Sequence, residues 1–389
     1  MISEDLELTI LMPCLNEAET LKFCIDKANQ FLTRTGVSGE VLIADNGSND
    51  NSQQIAMNAG ARVIDVKQKG YGSALISGIN EARGKYIIMG DADDSYDFSQ
   101  LDLFVDELRR GSDLVMGNRF KGGIRKNAMP FLHKYLGNPV LSFIGKLFFK
   151  IDIGDFHCGL RGFNATKIRS LNLKTTGMEF ASEMIVKSRF AGLKMVEVPT
   201  VLYPDGRSRP PHLKTWRDGW RHLVFLLIYS PRWLFLYPGI FMLSVFSLVF
   251  IALQLHPIII KGIYFDIHSL ILVGFGIIAS FQMILFAILG KVFSTNYGLI
   301  PEKKNYQIWY KYFNLERGII AGLVLMLFGV LMILSAFIYW KHLEFGEVRD
   351  ISGTSRKVIL GGVLFTLGNQ ILFSSFIFRI IGIDTKRLK

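Results

Sequence analysis

The sequence predicts an α/β domain on a mostly parallel sheet, then an interfacial helix, then an all-α domain of four transmembrane helices. Three observations predict this. Short β-rich runs alternate with helical patterns over the first 120 residues, the pattern of βαβ units with right-handed crossovers. Hydrophobic residues make up 50% of the chain, and their surplus falls almost wholly after Leu223, in four long runs. Between the two regimes lies a Pro/Gly/Arg loop followed by bulky aromatics and arginines.

Strands are expected at 8–12, 41–44, 62–66, 86–89 and 114–116, where β-branched and apolar residues cluster between helical patterns. An amphipathic, aromatic-rich helix is expected over 130–149 and a second over 177–191. A strand at 195–202 then ends in Tyr-Pro-Asp-Gly, and 204–211 forms a boundary loop. Residues 215–233 carry Trp216, Trp220, Trp233, Arg217, Arg221 and Arg232 at helical spacing. That suits a helix lying in lipid headgroups, the alternative being an ordinary soluble amphipathic helix. Spans follow at 234–255, 268–290, 319–340 and 358–378, each long enough to cross a bilayer. Gln282, Asn369 and Gln370 interrupt them and are expected to bond between helices rather than line a transport path. The domains are therefore 1–204, the loop and interfacial helix 205–233, and the membrane domain 234–389.

The net charge of +11 sits largely beside the hydrophobic spans. Anionic lipid and the positive-inside rule account for it, so no nucleic-acid partner is expected. An even number of spans puts both termini on one side. The inner side then holds Lys303, Lys304, Lys311 and Arg317 with the tail residues Lys386, Arg387 and Lys389, against four basic residues in the outer loop 341–357. The expectation is a multi-pass integral membrane protein with its soluble domain in the cytoplasm, in the cytoplasmic membrane if the source is prokaryotic. Cys14, Cys24 and Cys158 show no ligand spacing and no disulfide framework, which suits a reducing compartment. The opening Met-Ile-Ser-Glu-Asp has no basic region followed by an apolar core, so no signal peptide is expected.

Residues 85–94 read Lys-Tyr-Ile-Ile-Met-Gly-Asp-Ala-Asp-Asp, a buried-type strand that stops at carboxylates. Asp91 and Asp93 flank Ala92, so in an extended stretch both side chains fall on one side at the sheet edge. Mg²⁺ or Mn²⁺ takes such oxygen ligands and keeps positions open for a diphosphate. Asp94, Ser95 and Asp97 add ligands or cap the next helix. Other strands also end in polar residues and glycines: Pro13, Asn16 and Glu17 after the first, Asp45, Asn46 and Gly47 after the second. Lys69-Gly70-Tyr71-Gly72-Ser73-Ala74 precedes a helix, and its glycines permit close backbone approach to an anion. It lacks the third glycine and distal acid of a dinucleotide fingerprint. A metal–diphosphate site on a membrane-bound chain points to chemistry between a soluble activated donor and a lipid.

Leu11-Met-Pro-Cys-Leu-Asn-Glu17, Asp45-Asn-Gly-Ser-Asn-Asp50, Lys69-Gly-Tyr-Gly72, Asp91-Ala-Asp93 and Gly117-Asn-Arg119 resemble the ordered motifs of family 2 glycosyltransferases. The similarity is greatest to dolichyl-phosphate mannose or glucose synthases and polyprenyl-phosphate glycosyltransferases, and covers about 6–230, with a four-span tail also found in that subgroup. It implies a GT-A fold, a Rossmann-like, mostly parallel sheet. It implies that Pro13, Leu15, Glu17 and Asp45, with Asn16, Gly47, Lys69, Gly70 and Gly72 alongside, bind the nucleotide sugar. Asp91 and Ala92 would lie near ribose and diphosphate, Asp93 would be the main metal ligand, and Arg119 would meet the acceptor phosphate. The chain departs from the family pattern in three places. Asn46 follows Asp45 where Asp-Asp is common, Ser95 stands where Gln often helps the metal, and His133 and Lys134 stand where an arginine is usual.

The activity implied is transfer of a monosaccharide from a UDP-glucose or GDP-mannose type donor to undecaprenyl or dolichyl phosphate. A lipid phosphate is already anionic at neutral pH, so it attacks the anomeric carbon without a general base, and one in-line displacement inverts the configuration. It needs cations to position it, and Arg119, Arg125, His133, Lys134, Arg207 and Arg209 are the candidates. Asp155-Phe-His-Cys-Gly-Leu-Arg161-Gly-Phe163 and Gly177-Met-Glu-Phe-Ala-Ser-Glu183 are similar to family segments that shape the acceptor face. Glu179 and Glu183, four apart on a helix, orient the donor sugar or pair with Arg161. The partners expected are the donor, the lipid acceptor and the bilayer; the resemblance also allows a homo-oligomer. Two alternatives are a processive polysaccharide synthase and an inactive membrane scaffold. Against the first, Tyr229-Ser-Pro-Arg232-Trp233 has tyrosine where such synthases carry glutamine, and no Thr-Glu-Asp base motif is present. Against the second, the Asp91/Asp93 pair is intact.

Overall fold

A computed structural model describes residues 6–209, 215–296 and 315–381, within two compact units, Met1–Leu226 and Leu227–Lys389. The basic residues expected on the inner side at 303, 304, 311, 386, 387 and 389 lie outside the described residues, as do 210–211 of the boundary loop.

The first unit is built on seven strands: β1 (Leu8–Cys14), β2 (Gly39–Asp45), β3 (Arg62–Asp65), β4 (Tyr86–Met89), β5 (Leu114–Asn118), β6 (Arg161–Asn164) and β7 (Met195–Pro199). They are ordered β3-β2-β1-β4-β6-β5-β7. Only β6 runs antiparallel to its neighbours β4 and β5; the other pairs are parallel. The helices are α1 (Leu21–Thr35), α2 (Ser52–Asn58), α3 (Tyr71–Glu81), α4 (Asp102–Arg109), α5 (Arg119–Gly122), α6 (Asn138–Phe149), α7 (Ala165–Arg169), α8 (Phe180–Phe190) and α9 (Thr215–Ile228). β1, β4 and β5 are continuous apolar runs, fully buried except at Pro13, as central strands of a sheet covered on both faces must be.

The expected parallel sheet is present, with one strand the sequence did not announce. β6 is only Arg-Gly-Phe-Asn, four residues with no β-rich run. It is held by register, Met89 opposite Arg161 and Ile88 opposite Gly162, and carries no propensity signal. The strand expected over 195–202 stops at Pro199, and Leu202 makes an isolated parallel bridge to Ile124. The helix expected over 130–149 is a π-helical turn, His133–Gly137, running into α6. Pro139 explains this, since it removes one N–H and shifts the helical bonding. Pro238 accompanies a second such turn at Arg232–Leu236. The expected 215–233 helix ends at Ile228, before Pro231, so Arg232 and Trp233 belong to the first span. α9 buries Asp218, His222, Phe225 and Leu226, while Trp216 and Trp220 are 79% and 64% exposed.

Among the described residues the second unit has four helices long and apolar enough to cross a membrane: Arg232–Leu255, Ile267–Asn296, Leu315–His342 and Ile351–Ile381. A hairpin of β8 (Ile258–Ile260) and β9 (Ile263–Phe265) joins the first two. Phe241, Leu248, Leu272, Phe275 and Phe328 are among the many large apolar side chains exposed along the spans, as lipid-facing surfaces require. The third and fourth spans approach backbone to backbone: a Cβ on Gly329 would stand 2.6 Å from Gly361 O. Polar ties within this unit come from Gln254 to Arg356 O, 3.2 Å, and from the Arg356–Asp266 ion pair. The bonding expected of Gln370 is not completed, because its Oε1 is buried without a partner.

Candidate active site

β2, β1 and β4 are neighbours in the sheet, so their C-terminal loops converge at one edge. The first two loops are stitched together. Asn16 N donates to Ser48 Oγ at 2.8 Å, Glu17 N to Ser52 Oγ at 3.0 Å, and Ala18 N to Asp50 Oδ2 at 2.9 Å. Thr20 Oγ1 ties this assembly to the third loop through Ala92 O at 2.7 Å. Asp45 accepts from Gly47 N, Ser48 N, Ser48 Oγ and Gln53 Nε2. Burial pushes its carboxyl up, but these hydrogen bonds outweigh burial and hold it below the usual range. Asp45 therefore shapes the loop from within.

The glycine loop joins the same edge. Asn46, the residue that departs from the family pattern, accepts from Gly70 N at 2.7 Å, and its carbonyl takes Lys69 Nζ at 2.6 Å. Gly70 has φ +132°, and Cβ atoms on Gly70 and Gly72 would each lie 2.2 Å from a backbone oxygen, of Thr176 and Thr175 respectively. Only glycine fits at either position. Tyr71, at the start of α3, donates its hydroxyl to Asp91 Oδ1 at 3.0 Å, a contact no sequence pattern announced.

Asp91 and Asp93 sit just beyond β4 as expected. Burial and then the negative charge of Asp93 push the Asp91 carboxyl up. Asp93 Oδ1 accepts from Ser95 Oγ at 2.5 Å, and Asp93 Oδ2 pairs with Arg207 Nη2 at 2.6 Å. Arg207 also reaches Glu17 Oε1 at 3.2 Å and Asp205 Oδ2 at 3.1 Å, and Arg209 meets Glu17 Oε1 at 2.8 Å. The loop after β7 is fastened by Gly206 N to Asp93 O, 2.9 Å, and Tyr203 N to Ser95 O, 3.0 Å. Burial drives the Glu17 carboxyl up to about 7 against the pull of Arg207 and Arg209.

The structure divides the candidate phosphate-binding cations. Arg207 and Arg209 sit with Glu17 and Asp93. Arg119, just beyond β5, is buried and held bidentate by Asp155, Nε to Oδ2 and Nη2 to Oδ1, both 2.7 Å. Burial and then the charge of Arg119 hold the His133 imidazole below its ordinary pKa. The Arg125 guanidinium lies 5.8 Å from the Tyr203 ring and Lys134 Nζ 5.4 Å from that of Tyr135.

Of the two glutamates, Glu183 does not pair with Arg161. It accepts from Lys174 N, Thr175 N and Thr175 Oγ1 and bridges to Lys187. Arg161 donates to the carbonyls of Phe156, Cys158 and Ala181. Glu179 Oε2 is buried without a partner, as are Glu17 Oε2, Arg207 Nε and both ring nitrogens of His157. Asp155 and His157 lie in the 155–163 segment expected to shape the acceptor face, but the sequence assigns neither a contact of its own. Asp155 is 36 residues from the arginine it holds, and nothing in a linear pattern links them.

Residues 9–171 match the model of glycosyl transferase family 2, and residues 288–382 match that of its C-terminal transmembrane region. The low-salt glycan biosynthesis hexosyltransferase Agl6 of Haloferax volcanii is 34% identical over 381 residues, covering 96% of this chain and 89% of that one. The chain belongs to glycosyltransferase family 2. The glycosyltransferase AglJ of the same organism is 27% identical, covering 72% of this chain and 91% of that one. Its dolichyl-phosphate hexose transferase is 26% identical over 50% of this chain and 81% of that one. In this family 2 enzyme the sheet edge bearing Asp91 and Asp93 is thus the edge of a GT-A domain, followed by four candidate membrane spans.

Proposed function

We propose that the chain is a membrane-anchored, metal-dependent hexosyltransferase. It moves one hexose from a nucleotide diphosphosugar, of UDP-glucose or GDP-mannose type, to a polyprenyl phosphate with inversion. The catalytic part is 1–204, the juxtamembrane loop and interfacial helix 205–233 and the membrane domain 234–389, with the catalytic part in the cytoplasm. The observation that carries the reading is the pair of carboxylates, Asp91 and Asp93, at the edge where the glycine loop and two arginines also meet.

The residues present fit a divalent cation. Asp91 and Asp93 offer hard-oxygen ligands, burial and then the charge of Asp93 push the Asp91 carboxyl up, and Glu17, bridged to Asp93 through Arg207, keeps a buried oxygen without a partner. Asp93 with Asp91 would hold Mg²⁺ or Mn²⁺, Ser95 fixing the Asp93 rotamer, and the bound cation would neutralise charge on the departing diphosphate. Pro13, Leu15, Asn16, Glu17, Asp45 and Gly47 frame the nucleoside. Lys69, Gly70, Gly72 and Ala92 line the approach to the diphosphate, and Arg207 and Arg209 offer it positive charge. On the other side Arg119, supported by Arg125, His133 and Lys134, orients the lipid phosphate. That phosphate is itself the nucleophile, so the site needs no base.

The test is transfer by the purified protein from labelled UDP- and GDP-hexoses to polyprenyl phosphate, with and without EDTA. Label is expected in the lipid fraction only when divalent metal is present. No lipid label from any donor with folded protein would refute the reading, and label in a polymer would favour a processive synthase.

A further inference from the structure

His157 is a residue beside this site whose two ring nitrogens are both buried without a hydrogen-bond partner. Its backbone is gripped from several sides. His157 N donates at 3.4 Å to Asp155 Oδ1, the oxygen that also takes Arg119 Nη2 at 2.7 Å. Arg161 donates to Phe156 O at 3.0 Å and to Cys158 O at 2.8 Å, so one guanidinium holds the carbonyls on both sides of His157. The ring packs edge to face against His222, 4.4 Å between centroids, and His222 is itself fixed by Ser182 Oγ at 2.9 Å. Two residues further on, Gly159 lies against Asp91 Oδ2, so close that a Cβ there would stand 2.4 Å from that oxygen. The segment therefore runs between the buried Asp155–Arg119 pair and the Asp91 carboxylate.

Within this rigid frame both imidazole nitrogens are buried without a hydrogen-bond partner. Buried polar atoms in native folds almost always have partners, and exceptions mark places that something else completes. Burial first, then the neighbouring His222 ring and the Arg119 and Arg161 guanidiniums, hold the imidazole well below its ordinary pKa. It is thus a neutral ring, with one N–H donor and one acceptor, in positive surroundings. Asp155, the nearby carboxylate, is already engaged by Arg119. A neutral donor among fixed cations suits an anion's oxygen.

We propose that His157 donates a hydrogen bond to a phosphate oxygen of a substrate and, with Arg119, forms a phosphate subsite. This rests on the transferase reading above, and the phosphate is that of the lipid acceptor or of the nucleotide diphosphate. The two sources are separated by binding, measured calorimetrically on full-length protein in detergent with a short-chain isoprenyl monophosphate, UDP and GDP as probes. His157→Phe keeps a ring against His222 and removes both nitrogens; His157→Gln restores a neutral donor. H157F is expected to bind one class of probe about tenfold more weakly, as loss of a hydrogen bond to a charged group implies. H157Q should stay within about threefold of wild type. Weakening confined to the isoprenyl phosphate assigns the acceptor, and weakening confined to UDP and GDP assigns the donor. Unchanged binding of both classes of probe by H157F, or equal losses in H157F and H157Q, would overturn the proposal and leave the transferase reading intact. Wild-type protein that binds no probe would count against both. Should H157F fail to fold, ring ¹⁵N spectra of histidine-labelled wild type give the same decision. The His157 resonance is expected to shift with a phosphate-bearing probe and not with the matching isoprenoid alcohol, and an unmoved resonance would overturn the subsite.

Discussion

Removing the carboxylate that holds Arg119 should be among the most damaging single changes in the soluble unit. Asp155 is fully buried and the Arg119 side chain is 9% exposed, joined by two 2.7 Å hydrogen bonds and a third, 3.1 Å, from Arg119 N. In Asp155→Ala the guanidinium stays inside without its counter-charge, because its pKa is too high for it to neutralise. Breaking one partner of a buried pair costs about 3–5 kcal/mol. For a unit of this size each kcal/mol moves the melting temperature by about 2–4 °C, so a fall of about 6–20 °C is expected. The assay is thermal unfolding of the full-length protein in detergent, with Arg119→Met, Asp155→Leu and the double variant completing a cycle. The double variant should be nearer wild type than either Asp155 variant, since an apolar pair of similar volume replaces the ion pair without stranding a charge. An Asp155→Ala protein within about 1 kcal/mol of wild type, or a double variant as unstable as the sum of the singles, would refute this reasoning.

Three further outcomes follow from the same geometry. Burial, and then Arg161, lower His222 to about 4 against the opposing pull of Asp218. Its folded pKa lies below the unfolded value, so its contribution is present above about pH 6.5 and is lost as pH falls toward 4, up to about 3 kcal/mol. Denaturant titrations of wild type and His222→Gln should therefore converge on acidification, and parallel curves from pH 7 to 4 would show that His222 carries no such linkage. Gly72→Ala should cost about 1–3 kcal/mol by pushing the Thr175 carbonyl and should weaken nucleotide-sugar binding; a variant with wild-type melting and affinity would contradict the close approach seen there. Arg207 occupies Asp93 Oδ2, so Arg207→Ala should bind Mn²⁺ about tenfold more tightly without donor, given the strength of a charge-assisted bond. Equal or weaker Mn²⁺ binding by electron paramagnetic resonance would count against that competition.

Much of this architecture can be read in the chain, and the gaps have physical causes. β1, β4 and β5 are legible because strands buried on both faces must be apolar throughout, and the spans because a bilayer admits little else. Asp91 and Asp93 are legible because they end such a strand. β6 escapes because its identity lies in register with β4 and β5, where Gly162 leaves room for Leu108 and Phe104, and not in its composition. The π-helical turns escape because a periodicity reading sees Pro139 and Pro238 as compatible with a helix start. The partners of Arg119 and Arg207 are separated from them by 36 and 114 residues, and sequence spacing carries no information on such pairings. Arg207 illustrates the consequence: read along the chain it is a basic loop residue near the membrane domain, and in the fold it is a counter-ion of Asp93 and Glu17.

The central claim concerns the bond made, so the product tests it most directly. Lipid extracted after reaction with the donor that labels it should be analysed by mass spectrometry and ³¹P and ¹H NMR. The account predicts a single hexose joined to polyprenyl phosphate through a phosphodiester, with anomeric configuration opposite to that of the donor. A glycan chain, a hexose linked to a hydroxyl group, or a retained configuration would contradict it.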